Sequence, residues 1–127
     1  MELVAIVTGL ALLQAFMFAF QVGQARVKHD CPAPATSGPP EFERAFRVHM
    51  NSIEQLVLVI PALWIFATYV RADVAAGLGL VYVIARQIYR GAYIADPSTR
   101  SMGFGLGALV LMVLLIGGMI GAAMRLF

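Results

Sequence analysis

Polar residues cut the chain into four apolar stretches. Leu3–Ala25 carries no charge and, at about 1.5 Å per residue, is long enough for a helix that crosses a bilayer. Gln14, Gln21 and Gln24 lie within it and are suited to bridging helices across a bundle. Arg26–Pro40 holds prolines at 32, 34, 39 and 40 and a glycine at 38, so it reads as a loop. The second stretch opens with FERAFRVHMNSIE at Phe42–Glu54 and continues through the uncharged Gln55–Val70. Read as a helix, it places Arg47, Asn51 and Glu54 at i, i+4 and i+7 on one face. Pro61 inside it predicts a kink. Arg71-Ala72-Asp73 reads as a tight turn between antiparallel helices. Val74–Ala85 is too short to span alone, so its helix must continue through Arg86, Tyr89, Arg90 and Tyr93. That continuation aligns Arg86, Tyr89 and Tyr93 on one face. Asp96-Pro97-Ser98 ends it. Met102–Met124 is then uncharged and glycine-rich, with small-xxx-small pairs at Gly103/Gly107 and Gly117/Gly121. The pattern predicts an all-α fold, a single domain over residues 1–127. It is an integral membrane four-helix bundle with spans at about 2–27, 42–70, 74–94 and 98–125.

Composition points the same way. Hydrophobic residues make up 61% of the 127 and charged residues 13%, against roughly 25% charged in soluble domains. Mean hydropathy is +0.84. A net charge of +2 without a basic, aromatic-interleaved run argues against nucleic acid as a partner. The one cysteine, Cys31, excludes an intrachain disulfide and a multi-cysteine metal site. His49 has no second histidine at ligand spacing, so no metal is expected. Glu2 and the length of the first apolar run argue against a cleaved signal peptide. Arg26, Lys28, Arg44, Arg47, Arg86, Arg90 and Arg100 flank one pair of loops, against Arg71 and Arg125 on the other side. Loops 26–41 and 95–99 are therefore predicted to be cytoplasmic.

In this topology one membrane face gathers those arginines with His49, Asn51, Glu54, Tyr89 and Tyr93. A charge at the centre of a lipid-facing helix costs about 2.5–3.5 kcal/mol, so the polar line must face protein, water or a polar ligand. The cluster is strongly cationic, with Glu54 as the acid best placed within the helices. It suits a ligand with several carboxylates and one amine: guanidinium groups take carboxylates bidentately, and Glu54 is placed to hold an ammonium. Nothing resembles a serine-hydrolase, P-loop or dinucleotide-binding motif.

The segments FERAFRVHMNSIE, Leu63-Trp64, GLVYVIAR at Gly79–Arg86, and the pair Tyr89 and Tyr93 together resemble the MAPEG family. These are the membrane-associated proteins in eicosanoid and glutathione metabolism. TSGPPEFER across the first loop extends the likeness over nearly the whole chain. It is closest to the branch that holds leukotriene C synthase and the type two microsomal glutathione transferase. The resemblance implies a four-helix subunit in a homotrimer, with glutathione as co-substrate bound between neighbours. It implies glutathione contacts from Arg47, Asn51, Glu54, Tyr89 and Tyr93 of one subunit and Arg26 of the next. His49 stands where that branch often has a ligand-facing glutamine. Arg100 matches the arginine that holds the glutathione sulfur as a thiolate, the catalytic role. Arg86 matches an arginine of the family motif read as structural. The implied activity is that of a glutathione transferase or peroxidase acting on a hydrophobic electrophile or lipid.

Two positions depart from the leukotriene enzyme. Gln55 replaces a tyrosine that touches glutathione, and Val27 replaces a second arginine near the lipid substrate. The first weakens the expected glutathione contact. The second argues against leukotriene synthesis while leaving general transferase or peroxidase chemistry open. Both keep an alternative in view. The same family includes the five-lipoxygenase-activating protein, which binds and presents lipid without glutathione catalysis.

Overall fold

A computed structural model describes every residue from Met1 to Phe127. Four helices follow one another: α1 at Glu2–Lys28, α2 at Pro40–Tyr69, α3 at Ala72–Ala95 and α4 at Ser101–Met124. A 3₁₀ turn at Pro97–Thr99 joins α3 to α4. End signals are visible in the sequence. α1 has Glu2 in its first turn and Arg26 and Lys28 in its last, the arrangement that complements the helix dipole. α2 opens on Pro40, whose missing N–H costs nothing at a helix start, with Glu41 and Glu43 in the same turn.

α2 packs against all three other helices, and α3 also packs against α1 and α4. α1 and α4 thus lie on opposite sides of the α2–α3 pair. α1 buries Val4, Val7, Ala11, Ala15, Phe18 and Val22, one stripe at helical spacing. Leu3, Ile6, Leu13, Phe16 and Phe20 on its other side stay exposed. Such a surface suits lipid or another subunit rather than water. Glu2–Lys28, Pro40–Tyr69 and Pro97–Met124 are long and apolar enough to cross a membrane. α3 has 24 residues, about 36 Å, but Arg86 and Arg90 lower its hydropathy.

α2 remains one unbroken α-helix through Pro61. The ring sits on the exposed side of the helix, where it meets no packed partner helix. The glycines of α4 serve packing inside the chain. A Cβ on Gly103 would lie 2.6 Å from Tyr89 N, and one on Gly118 would lie 3.1 Å from Phe66 N. α4 therefore lies close against α3 at one end and against α2 at the other. Polar side chains on α1 and α3 also meet. Gln14 Nε2 donates to Val83 O at 2.9 Å, and Arg90 Nε donates to Gln21 Oε1. Gln24 is exposed.

Candidate functional site

A cleft of about 540 Å³ opens where α2, α3 and α4 converge. α2 contributes Arg47 and Asn51, and α3 contributes Tyr89 and Tyr93. The α3–α4 connection adds Ser98, Arg100, Ser101 and Phe104. A second cleft of about 470 Å³ adjoins it, sharing Arg47 and Tyr93 and reaching Glu43, Arg44 and Thr36. Arg44 spans the α2–α3 gap there, its Nη1 donating to Ile94 O at 3.1 Å.

The local sequence explains this arrangement. Asp96 ends α3 with its amide bonded to Ala92 O, while its Oδ1 accepts from Ser98 N at 3.1 Å and Ser98 Oγ at 2.9 Å. Those two hydrogen bonds, the backbone one foremost, hold the Asp96 carboxyl below its usual range. Thr99 Oγ1 ties back to Asp96 O at 2.7 Å. The turn delivers Arg100 to the cleft mouth, where Nη1 donates to Pro97 O at 2.6 Å and the guanidinium lies 6.0 Å from the Tyr93 ring. Gly103, with no side chain, lets the first turn of α4 press onto Tyr89. Tyr89 and Tyr93 stack at 5.6 Å between centroids, and Tyr89 meets Phe104 at 6.3 Å.

The electrostatics are lopsided. The ion pairs of the chain are Met1–Glu2 and Arg71–Asp73, both exposed and both away from the cleft. Arg26, Arg44, Arg47, Arg86, Arg90 and Arg100 thus have no carboxylate within bridging distance. Within the cleft lining, Arg47 and Arg100 stand without an acid, which favours an anion there. Asn51 Oδ1 is a buried acceptor without a partner at the cleft wall, so a ligand N–H would satisfy it. Beneath the cleft lies Arg86, 2% exposed, with its guanidinium 4.1 Å from the Tyr89 ring centroid.

Of the residues singled out from sequence, Arg47, Asn51, Tyr89, Tyr93 and Arg100 line this one cleft. Arg26, His49, Glu54 and Gln55 do not. Arg26 closes its own loop: Nη1 donates to Ala35 O at 2.8 Å and Cys31 O at 3.2 Å, and the guanidinium stacks 4.7 Å over Phe42. His49 is half-buried, with an unpartnered Nδ1. Glu54 is exposed and Gln55 half-buried, about one turn further along α2 than Asn51. Sequence reasoning missed Ser98, Ser101 and Phe104 as wall residues. Phe104 stands one helical turn after Arg100, which is the signal that would have found it.

The chain is thus an all-helical bundle of the membrane-protein class, with a cleft at one end that holds Arg47 and Arg100 and no carboxylate. This chain belongs to the MAPEG family, whose model matches residues 4–120. It is 40% identical to microsomal glutathione S-transferase 2 of Mus musculus over 124 residues, covering 98% of this chain and 84% of that protein. The Homo sapiens counterpart is 39% identical over 121 residues, 95% of this chain and 82% of that protein. Leukotriene C4 synthase of Cavia porcellus is 39% identical over 98 residues, 77% of this chain and 65% of that protein.

Proposed function

We propose that the protein is a membrane glutathione S-transferase that conjugates hydrophobic electrophiles and also reduces lipid hydroperoxides with glutathione. The observation that carries this reading is the cleft itself. Arg47, Asn51, Tyr89, Tyr93 and Arg100 converge on it with no carboxylate among them. The names of the relatives support glutathione as the co-substrate.

Each group has a chemical task in this reading. Arg47 takes a glutathione carboxylate, and Asn51 Oδ1 accepts from a peptide N–H or the ammonium. The Tyr93 hydroxyl donates to a remaining acceptor, and the Tyr89 hydroxyl lies in the same cleft. Arg100 acts at the sulfur. A free thiol with pKa near 8.5 is only a few per cent ionised at neutral pH, and the thiolate is the nucleophile. Arg100 cannot be a base, because a guanidinium keeps its proton; it stabilises the thiolate. Lowering the thiol pKa by about two units corresponds to roughly 2.7 kcal/mol, within reach of a charge-assisted contact in a partly dry site. The thiolate then forms the C–S bond; in a substitution the electron pair of the broken bond leaves with the displaced group, and in an addition the π pair stays on the adduct, which takes a proton from water. Toward a hydroperoxide, two glutathiones give the disulfide, the alcohol and water.

The working unit in this reading is a homotrimer. Arg26, which stands outside the cleft of its own chain, completes a neighbour's site, while His49, Glu54 and Gln55 meet the ligand from the chain that supplies Arg47 and Asn51. Loops 26–41 and 95–99 face the cytoplasm, and apolar substrates arrive through lipid-facing grooves. The test is glutathione-dependent thiolate absorbance of the detergent-solubilised protein. Arg100→Ala loses the signal while keeping most of the glutathione affinity. Co-assembly of Arg26→Ala and Arg100→Ala chains restores part of it. An unchanged signal in Arg100→Ala removes that residue from the mechanism, and no recovery in mixed assemblies removes the shared site.

A further inference from the structure

We propose that Arg86 is a positioning residue for the glutathione thiolate: from below the cleft it fixes the Tyr89 ring and strengthens the Tyr89 hydroxyl as a hydrogen-bond donor to the sulfur. The inference rests on the glutathione reading and adds to it a residue outside the cleft lining.

Arg86 is the largest fully buried side chain of the protein. A guanidinium stays protonated, so its charge is permanent. No acid pairs with it. A purely structural buried cation ordinarily has a carboxylate or a full set of acceptors. Arg86 has one hydrogen bond, from Nη2 to Ser52 Oγ at 2.8 Å, and its Nε has no partner. Ser52 is itself oriented. Its hydroxyl donates to Val48 O at 2.8 Å, which commits its only proton and leaves a lone pair for Arg86. The guanidinium is thereby held over the Tyr89 face, 4.1 Å from the centroid, inside the range of a cation–π contact.

A cation on a ring face draws electron density from the ring, and the phenolic O–H becomes a better donor. Tyr89 lies on the path from that buried charge to the cleft: it packs among Phe18 of α1 and Val48 of α2, and it lines the cleft. The charged and titratable groups around it are Arg47 from α2, Arg86 and Tyr93 from its own helix, and Arg100 at the start of α4. None is an acid. Tyr89 also touches the first turn of α4, immediately after Arg100, through the missing side chain of Gly103. The two donors assigned to the sulfur therefore come from opposite sides of one close contact. An anion in the cleft is the counter-charge that Arg86 lacks within the protein.

The test follows the thiolate signal against pH in the assembled, detergent-solubilised protein for wild type, Arg86→Lys, Tyr89→Phe and the double variant. Binding of S-methylglutathione, which has no ionisable thiol, is measured alongside. Arg86→Lys keeps a charge but loses the flat stack. The expected result is a midpoint about one pH unit higher, tenfold in the ionisation equilibrium, with S-methylglutathione affinity within about twofold of wild type. Tyr89→Phe should shift the midpoint similarly, and the double variant should add little, because both act through one hydroxyl. If Arg86→Lys does not fold, Ser52→Ala takes its place, freeing the guanidinium without removing it and shifting the midpoint in the same direction. A wild-type midpoint in whichever of these folds, additive shifts in the double variant, or equal losses of S-methylglutathione affinity each overturn the role. A wild-type protein with no thiolate signal overturns the glutathione reading and this inference together.

Discussion

The two ends of the bundle handle charge in opposite ways. At the α2–α3 turn, Arg71 and Asp73 sit two residues apart and neutralise each other on the exposed surface. At the other end, Arg47 and Arg100 face a cleft and Arg86 lies beneath it, none with an acid. Glycine is used differently as well. Near the α2–α3 turn, Gly117, Gly118 and Gly121 let α4 press onto Phe66, Ile65 and Tyr69. At the cleft, Gly103 makes one equally tight contact with Tyr89, yet space remains beside it. One end pairs Arg71 with Asp73, and the cleft of about 680 Å³ beside its seam is walled by apolar side chains with Arg125 at its edge. The other sets Arg47 and Arg100 in a cleft whose lining has no carboxylate, which is the condition for binding an anion from outside.

The sharpest way to break this contrast is at Gly103. A Cβ there meets backbone atoms of Tyr89 at 2.6 and 2.8 Å, so α3 and α4 must part. Gly103→Ala should cost about 1–3 kcal/mol in thermal unfolding in detergent, the range for overpacked sites, and should weaken glutathione binding in parallel. Gly107→Ala is the matched control. Its Cβ would meet only the Tyr82 ring at an ordinary 3.7 Å, so both quantities should stay near wild type. Equal behaviour of the two variants would show that the close approach at Gly103 does not shape the site. The smallest effect belongs to the far end. Asp73→Asn removes an exposed pair, and exposed pairs contribute little. Its melting temperature and turnover should match wild type; a loss comparable to Gly103→Ala would mean that the paired end also serves the site.

Much of the fold was legible, because each break between helices is written in residues that cannot stay in lipid. The proline-rich 26–40 segment, Arg71-Ala72-Asp73 and Asp96-Pro97-Ser98 stop apolar runs that would otherwise continue. The 16 uncharged residues after Glu54 and the 12 after Asp73 were too short alone, so their helices had to extend into polar sequence. That extension is what puts Arg47, Asn51, Tyr89 and Tyr93 at the cleft. The helical period alone could not say how far along a shared face the cleft would reach. Glu54 aligns with Arg47 and Asn51 yet stands outside it. Nor could spacing show that the Arg26 guanidinium folds back onto the carbonyls of its own loop, since that depends on the path of Cys31–Ala35. The Arg86 stack was half legible: its spacing from Tyr89 was plain, but the lack of any acid around it is a three-dimensional fact.

The function turns on whether the arginine end takes glutathione. Calorimetric titration of the detergent-solubilised wild-type protein and of Arg47→Ala with glutathione tests it most directly. Wild type should give saturable heat, and Arg47→Ala an affinity weakened by at least about tenfold, the loss of one charge-assisted carboxylate contact. No saturable heat from the wild-type protein, together with retained binding of a lipid, would contradict it and leave a lipid-presenting protein in its place.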